Sequence, residues 1–250
     1  MFYLQFLEND EQIYQKIKPG NEMRQQIVVI SMLFTSFYTQ LLPCEPFEPV
    51  FLKPVDTSRE DKDFFTFKQK LEKSVKEKDI KFIDSIIDPK ISFAFDEDGM
   101  GKSKFLKYWK LDKNPKNSEF WDELSQTINL GFTYKDNIWS APFLFNLTPE
   151  SIDSYSFSLI TGSTVNIRNK PSKKGAIVTQ LSWEFVKNEY DETIPKQVPN
   201  EPCNWKKVCI SDGQVGYICE QYLRSPMDHR VGFSKKNKNW MMIFFVEGGD

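Results

Sequence analysis

The residues that could do chemistry are few. The chain has one histidine, His229, and four cysteines, Cys44, Cys203, Cys209 and Cys219, alongside abundant Asp and Glu. A cysteine peptidase needs a thiolate beside a histidine base. Cys219 is the cysteine nearest His229 in sequence, and the alternation of its strand puts it on a core face, away from a surface-turn histidine. A zinc centre needs several nitrogen or sulfur ligands. One histidine and no Cys-x-x-Cys pair do not supply them. A carboxylate-pair glycosidase is compatible with the composition, but no motif marks a pair. The run Asp96-Glu-Asp-Gly99 lacks the alternating oxygen ligands and terminal glutamate of an EF-hand and reads as an acidic solvated turn. No catalytic residue, metal ligand or cofactor is therefore expected. The formal net charge of −2 gives no electrostatic footprint for nucleic acid. What remains is binding chemistry, carried by Arg168 and a set of aromatic side chains.

The elements that must position Arg168 are strands. Val165 and Ile167 alternate with Asn166 and Arg168, the period of a half-buried strand. Pro171, Ser172 and Gly175 break that pattern into a loop, and the β-branched run Ala176 to Leu181 starts again. Trp205 to Ile210 and Gln214 to Cys219 flank Asp212-Gly213, a hairpin signal. A two-residue loop there sets Ile210 opposite Val215 and Val208 opposite Tyr217 on the core face. It sets Gly216 opposite Cys209 on the other face and puts Cys209 and Cys219 on opposite faces. Several short strands at this spacing favour a small barrel.

The pieces Thr164-Val-Asn-Ile-Arg-Asn-Lys-Pro171, Trp205-Lys-Lys-Val208, Asp212-Gly213, Val215-Gly216-Tyr217-Ile218 and Tyr222-Leu223-Arg224-Ser225, in that order, resemble a bacterial SH3 domain over residues 158–225. The polar, proline-containing stretch Tyr190 to Asn204 departs from it as an enlarged loop. The resemblance implies a small barrel that binds rather than catalyses. It also implies a shallow groove beside the loop after the first strand, with Arg168, Asn169 and the loop on to Lys174, Trp183, Tyr190 and Tyr222 as ligand-binding candidates. Trp183 has burial under the barrel wall as its alternative. Arg168 either recognises a carboxylate or steadies the first loop by donating to backbone carbonyls.

The N-terminus points to export. Ile27 to Tyr38 is an apolar run too short to span a membrane comfortably and of the right length for a secretory signal. Arg24 precedes it and Leu41-Leu42-Pro43-Cys44 follows, which looks like a lipoprotein processing site with lipidation expected at Cys44 and with Pro43 as the departure. The acidic residues Glu8, Asp10, Glu11 and Glu22 fit a signal poorly, so Met23 is the expected start. Residues 1–44 are thus read as signal segment, and 45–55 as a proline-stiffened linker. The three cysteines after Cys44 are an odd number, which suggests one disulfide and one buried thiol, without a Cys209–Cys219 pair.

Residues 56–150 read as a helical α+β domain. Phe64, Phe67, Leu71 and Val75 recur at helical spacing, and a short helix through Ile87 is stopped by Asp88-Pro89. Ile91 to Phe95 alternates as a strand, Ser103 caps a helix over Lys104 to Leu111, and Ser118 starts another that ends at Gly131. This region resembles an accessory domain found beside bacterial SH3 domains in envelope proteins. The tail, residues 229–250, reads as a hairpin whose Trp240, Ile243 and Phe245 must dock, and the helical domain is the expected place. Helices with a late tryptophan strand resemble, loosely, the cone of the nuclear transport factor 2 type. The expected fold class is therefore α+β, with the small barrel between the helical domain and the hairpin. The expected function is non-catalytic binding or scaffolding in the periplasm or cell envelope, with a cell-wall peptide or envelope protein as partner and any membrane contact only through a lipid at Cys44. The alternative is a ligand pocket in the helical domain lined by Phe105, Tyr108, Trp109, Phe120 and Trp121.

Overall fold

A computed structural model describes residues 44–95, 99–194, 201 and 203–248. The expected signal segment before Cys44, the Met23 start and residues Asp96 to Asp98 of the acidic turn lie outside them. In chain order the helices are α1 (Lys62–Glu77), α2 (Ile80–Ile86), α3 (Lys102–Tyr108), α4 (Phe120–Asn129) and α5 (Leu144–Leu147). The strands are β1 (Ile87–Ser92), β2 (Thr133–Lys135), β3 (Ile138–Ala141), β4 (Phe157–Ile160), β5 (Val165–Arg168), β6 (Ile177–Leu181) and β7 (Phe185–Glu189). They continue with β8 (Trp205–Cys209), β9 (Val215–Cys219), β10 (Leu223–Arg224), β11 (Arg230–Lys236) and β12 (Asn239–Val246). The architecture is α+β.

Local chemistry sets the helix ends. The Asp61 carboxylate accepts from the amides of Asp63 and Phe64 at the start of α1, and Asp79 does the same for α2 from Lys81 and Phe82. Two expectations shift here. Helix α3 starts after Gly101, at φ 101°, so Ser103 lies inside the helix and is not its cap. Asp88-Pro89 does not sit between helix and strand, because β1 already begins at Ile87. That strand is the edge of its sheet and its register with β12 shifts between Ile87 and Ser92, where a proline is tolerated because no ladder hydrogen bond is asked of it.

The first sheet runs β1-β12-β11-β3-β2. Its inner face carries Trp139, Val231, Phe233, Trp240, Met242 and Phe245 against the helices. Phe64 of α1 stacks on Trp139 of β3 with centroids 4.5 Å apart, and Phe120 of α4 meets Phe245 edge-on at 5.6 Å. The C-terminal hairpin is thus built into this sheet: β11 pairs with β3, and β12 pairs with β1. Its loop, Asn237-Lys238, has both residues at positive φ, as a two-residue type I′ turn requires.

The second sheet runs β10-β4-β7-β8-β9-β5-β6 and is inserted between β3 and β11, which are neighbours in the first. Its inner residues, Ile160, Val165, Ile167, Val186, Val208, Ile210 and Ile218, make one core, so strands from across the sheet converge without a covering helix. Residues 45–55 are not a free linker. Prolines 46, 49 and 54 keep the segment extended, and it lies along the second sheet. Phe47 N donates to Ser211 O at 3.0 Å, Leu52 N to Trp183 O at 2.9 Å, and Phe185 N to Val50 O at 2.9 Å. Phe143, Leu144, Leu159 and Phe185, with Val50, Leu52, Leu130 and Trp183 beside them, form the apolar seam that joins the two sheets.

Candidate functional site

The β8–β9 hairpin positions most of the candidate site, and its register differs from the expected one. The loop has three residues, Ser211-Asp212-Gly213. Ile210 N donates to Gln214 O, Gly213 N donates to Ile210 O, and Gly213 takes φ 84°. Cys209 therefore faces Val215, Val208 faces Gly216 and Trp205 faces Cys219. One extra loop residue moves every assignment on β9 to the other face. Gly216 sits on the core face, where a Cβ would strike Ile167, whereas Val215 and Tyr217 turn outward. Cys209 and Cys219 share that outer face, and each takes a partner from another segment: Cys44 bonds to Cys209, and Cys203 to Cys219. All four cysteines are oxidised, not one pair plus a thiol. The Cys44 sulfur, held in a disulfide, cannot also carry the thioether of a lipid, so the expected lipidation at Cys44 is withdrawn.

Arg168 ends β5 at a register shift, beside Tyr217 of β9. Its Nη1 donates to Gly175 O at 2.7 Å and closes the loop that follows the strand. Glu201 pins that loop from outside, accepting from Ser172 Oγ at 2.6 Å and from the Lys173 amide at 2.8 Å, and these bonds, the serine hydroxyl first, hold its carboxyl below the usual range. Between this loop and the turn before β10 lies a cleft of about 280 Å³. Arg168, Lys173, Trp205, Tyr222 and the Cys203–Cys219 disulfide line it. Trp205 is 6% exposed, with its indole beside the Glu201 carboxylate.

Of the expected ligand-binding residues, the structure brings Arg168, Lys173 and Tyr222 into this cleft. Asn169 is exposed, and its amide donates to Ala176 O within the loop rather than facing the cleft. Trp183 is half-buried on the seam, 6.3 Å from Phe143, with Nε1 donating to Ser163 Oγ. Tyr190 is 87% exposed and lines a separate cleft with Asp191 and Lys207. Trp205 was missed. It lies at a strand start, where its signal was structural, and nothing in its spacing marks it as a cleft residue.

A larger cleft, about 750 Å³, lies where the two sheets meet. His229 is among the residues that line it. The ring packs 4.9 Å from Phe245 and 5.3 Å from Trp109, with Nδ1 3.3 Å from Glu123 Oε2 and Nε2 3.2 Å from Glu247 Oε2. It is not a free surface-turn side chain. Its main-chain oxygen accepts from Arg224 Nη2 at 2.6 Å, and Arg224 also donates to Thr127 Oγ1 at 3.1 Å. The His229 hydrogen bond holds the Glu123 carboxyl below its ordinary value, while burial pushes that of Asp228 up. Phe105, Trp109, Phe120 and Trp121, expected as a pocket under the alternative reading, are buried in the helical core, and Tyr108 is exposed beside them. Among the described residues no group of three or more His, Cys, Asp or Glu side chains converges as a metal site needs, and no helix is long and apolar enough to cross a membrane. In comparisons with known proteins, no family model, curated protein or solved structure matches the chain.

Proposed function

We propose that this chain is an exported, non-catalytic binding protein of the cell envelope. In this reading the second sheet is a barrel of the bacterial SH3 type, and the helix-backed first sheet is a cone of the nuclear transport factor 2 type. The Arg168–Tyr222 cleft holds a carboxylate-bearing peptide of the cell wall or of an envelope protein. The observation that carries the reading is the meeting of two basic side chains, Arg168 and Lys173, with two aromatic ones, Trp205 and Tyr222, in one cleft. A guanidinium fixed by one donated bond to Gly175 O keeps further N–H groups in a rigid fork, suited to a carboxylate. Export is supported by the two disulfides, which persist in oxidising compartments. With all four cysteines in disulfides, no thiolate is left for cysteine chemistry. The alternative pocket loses its support because four of its five aromatic side chains, all but Tyr108, fill the core.

The test is binding of the purified protein to isolated cell-wall sacculi, with fractionation of cells to locate it. Arg168→Ala and Lys173→Ala should each weaken binding by about tenfold, the worth of one charge-assisted hydrogen bond. Trp183→Ala should leave it unchanged. Retention equal to wild type in both basic-residue variants removes the cleft from the function, and protein found only in the cytosol removes export.

A further inference from the structure

The basic cleft already has a carboxylate at its rim, and the chain itself supplies it. Glu201 Oε1 accepts from Ser172 Oγ at 2.6 Å, and Oε2 accepts from the Lys173 amide at 2.8 Å. The same carboxylate lies beside the Trp205 indole and feels the Lys173 charge. Lys173 and Trp205 both line the Arg168 cleft. One carboxylate thus takes a hydroxyl proton and an amide proton in short, charge-assisted bonds. That is the chemistry expected of the ligand.

The loop between β5 and β6 does not need Glu201 to keep its shape. It closes on itself: Asn169 N donates to Ala176 O at 3.0 Å, Ser172 N to Lys170 O at 2.7 Å, and Gly175 N to Ser172 O at 2.8 Å. Arg168 Nη1 adds its bond to Gly175 O. The Lys174 amide donates to Ser172 Oγ at 3.2 Å, so the hydroxyl accepts from its own loop and keeps its proton for an acceptor outside it. The donors that Glu201 occupies therefore stay in place when it leaves. The bond to the Lys173 amide is exposed, so a ligand reaches it from water. Glu201 lies close to Cys203 in the chain, and the disulfide from Cys203 to Cys219 ties that stretch to β9. A carboxylate tethered so near acts at a high effective concentration.

We infer that Glu201 is a built-in competitor: its side chain fills a carboxylate site made by the Ser172 hydroxyl and the Lys173 amide, and a ligand's carboxylate binds by displacing it. The inference rests on the peptide-binding reading above and adds to it the regulation of that site. The apparent affinity of the cleft is the intrinsic one reduced by the fraction of molecules in which Glu201 has left.

The experiment titrates the full chain with N-acetyl-trialanine, with its C-terminal amide, and with N-acetyl-alanyl-glutamyl-alanine amide, whose carboxylate is on a side chain. Nuclear magnetic resonance follows the Lys173 amide. Glu201→Gln keeps the shape of the side chain and removes its charge. It should tighten binding of the carboxylate peptides by about tenfold, the worth of one charge-assisted hydrogen bond, and leave the neutral peptide unchanged. A gain confined to one of the two carboxylate peptides assigns the site to a chain end or to an acidic side chain. Adding Ser172→Ala should take back most of the gain, since the hydroxyl then serves the ligand. Glu192→Gln removes one charge from the exposed stretch nearby and should change nothing. Equal or weaker binding in Glu201→Gln makes Glu201 a structural clip and overturns the competitor; the Arg168 cleft stands if Lys173→Ala still weakens the wild type. An equal gain in Glu192→Gln reduces the effect to net charge and overturns it too. If no carboxylate peptide shifts the Lys173 amide in any variant, the competitor is wrong, and sacculus binding then decides the cleft alone.

Discussion

Replacing Cys44 and Cys209 together by serine removes a cross-link between residues 165 apart in sequence. Opening a loop of that length frees chain entropy worth about 5 kcal/mol in the denatured state, an upper figure because unfolded chains keep some structure. The folded strap, residues 45–55 along the second sheet, stays in place without the bond. The hydrogen bonds from Phe47 N to Ser211 O and from Phe185 N to Val50 O survive, and Phe47 still meets Phe157 edge-on at 5.1 Å. The expected loss is therefore about 3 kcal/mol, which for a chain of this size lowers the melting temperature by about 6 to 12 °C. The pair Cys203 and Cys219 closes only 16 residues, so its removal should cost less in the same picture. Thermal unfolding followed by near-ultraviolet circular dichroism measures both, and mass mapping of unreduced peptides checks the pairing. A loss below about 1 kcal/mol for the long loop, or a larger one for the short loop, would refute the entropic reasoning. A Cys44–Cys203 peptide would refute the fold around the strap.

Two other perturbations are specific. Gly216→Ala drives a Cβ into Ile167 and toward Arg168 O, so overpacking should cost about 1–3 kcal/mol, read as a lower urea midpoint at unchanged slope; a neutral result means β5 and β9 are not packed as described. Glu123→Gln tests the histidine clasp. A carboxyl held below its ordinary value of 4.5 stabilises the folded state above that value, and this is lost as the pH falls through the lower, folded one. Asp228, pushed up by burial, acts oppositely, losing its contribution as the pH rises. The variant should therefore show a shallower acid limb than wild type in urea midpoints across pH, and parallel profiles would show that the His229 contact does not stabilise Glu123.

Much of the local structure was legible because it depends on neighbours in sequence. The α1 stripe of Phe64, Leu71 and Val75 is buried where its spacing puts it, and Gly131 ends α4 at φ 87°. Registers were harder. The β8–β9 loop differs from the simplest hairpin by one residue, and that one residue turned Gly216 inward and Cys219 outward. Disulfide partners were illegible for a related reason. Cys44 and Cys203 lie in segments without periodicity, and only the folded path of residues 45–55 along the second sheet brings Cys44 to Cys209. The candidate site was half legible. Arg168 fell out of a strand pattern, and Lys173 and Tyr222 followed from the resemblance to a bacterial SH3 domain, but Trp205 and the carboxylates around His229 are assembled by tertiary contacts between segments far apart in the chain. His229 read as an ordinary turn residue because both of its carboxylate partners lie far from it in contact terms that sequence does not show, one on α4 and one beyond β12.

The insertion explains why the cleft between the two sheets can exist at all. A barrel hung on a flexible linker could not share a wall with a helix of another sheet, since the two would move independently. Here the chain leaves the first sheet after β3 and returns as β11, the strand paired to β3, so both ends of the insert are anchored on adjacent strands. The segment 45–55, with Cys44 bonded to Cys209, adds a third attachment along the second sheet, and the Phe143–Phe185 seam fills the space between. Two attachments on one edge would leave a hinge axis; the third removes it. Glu123 and Glu247 on one side then keep a fixed relation to Glu220 and Arg224 on the other, clasped at His229 and Thr127. Such rigidity lowers the ordering cost of any ligand laid across the join. It also implies that cutting the strap should loosen the junction cleft before it loosens the Arg168 cleft, because the latter is built wholly within the second sheet and its loops.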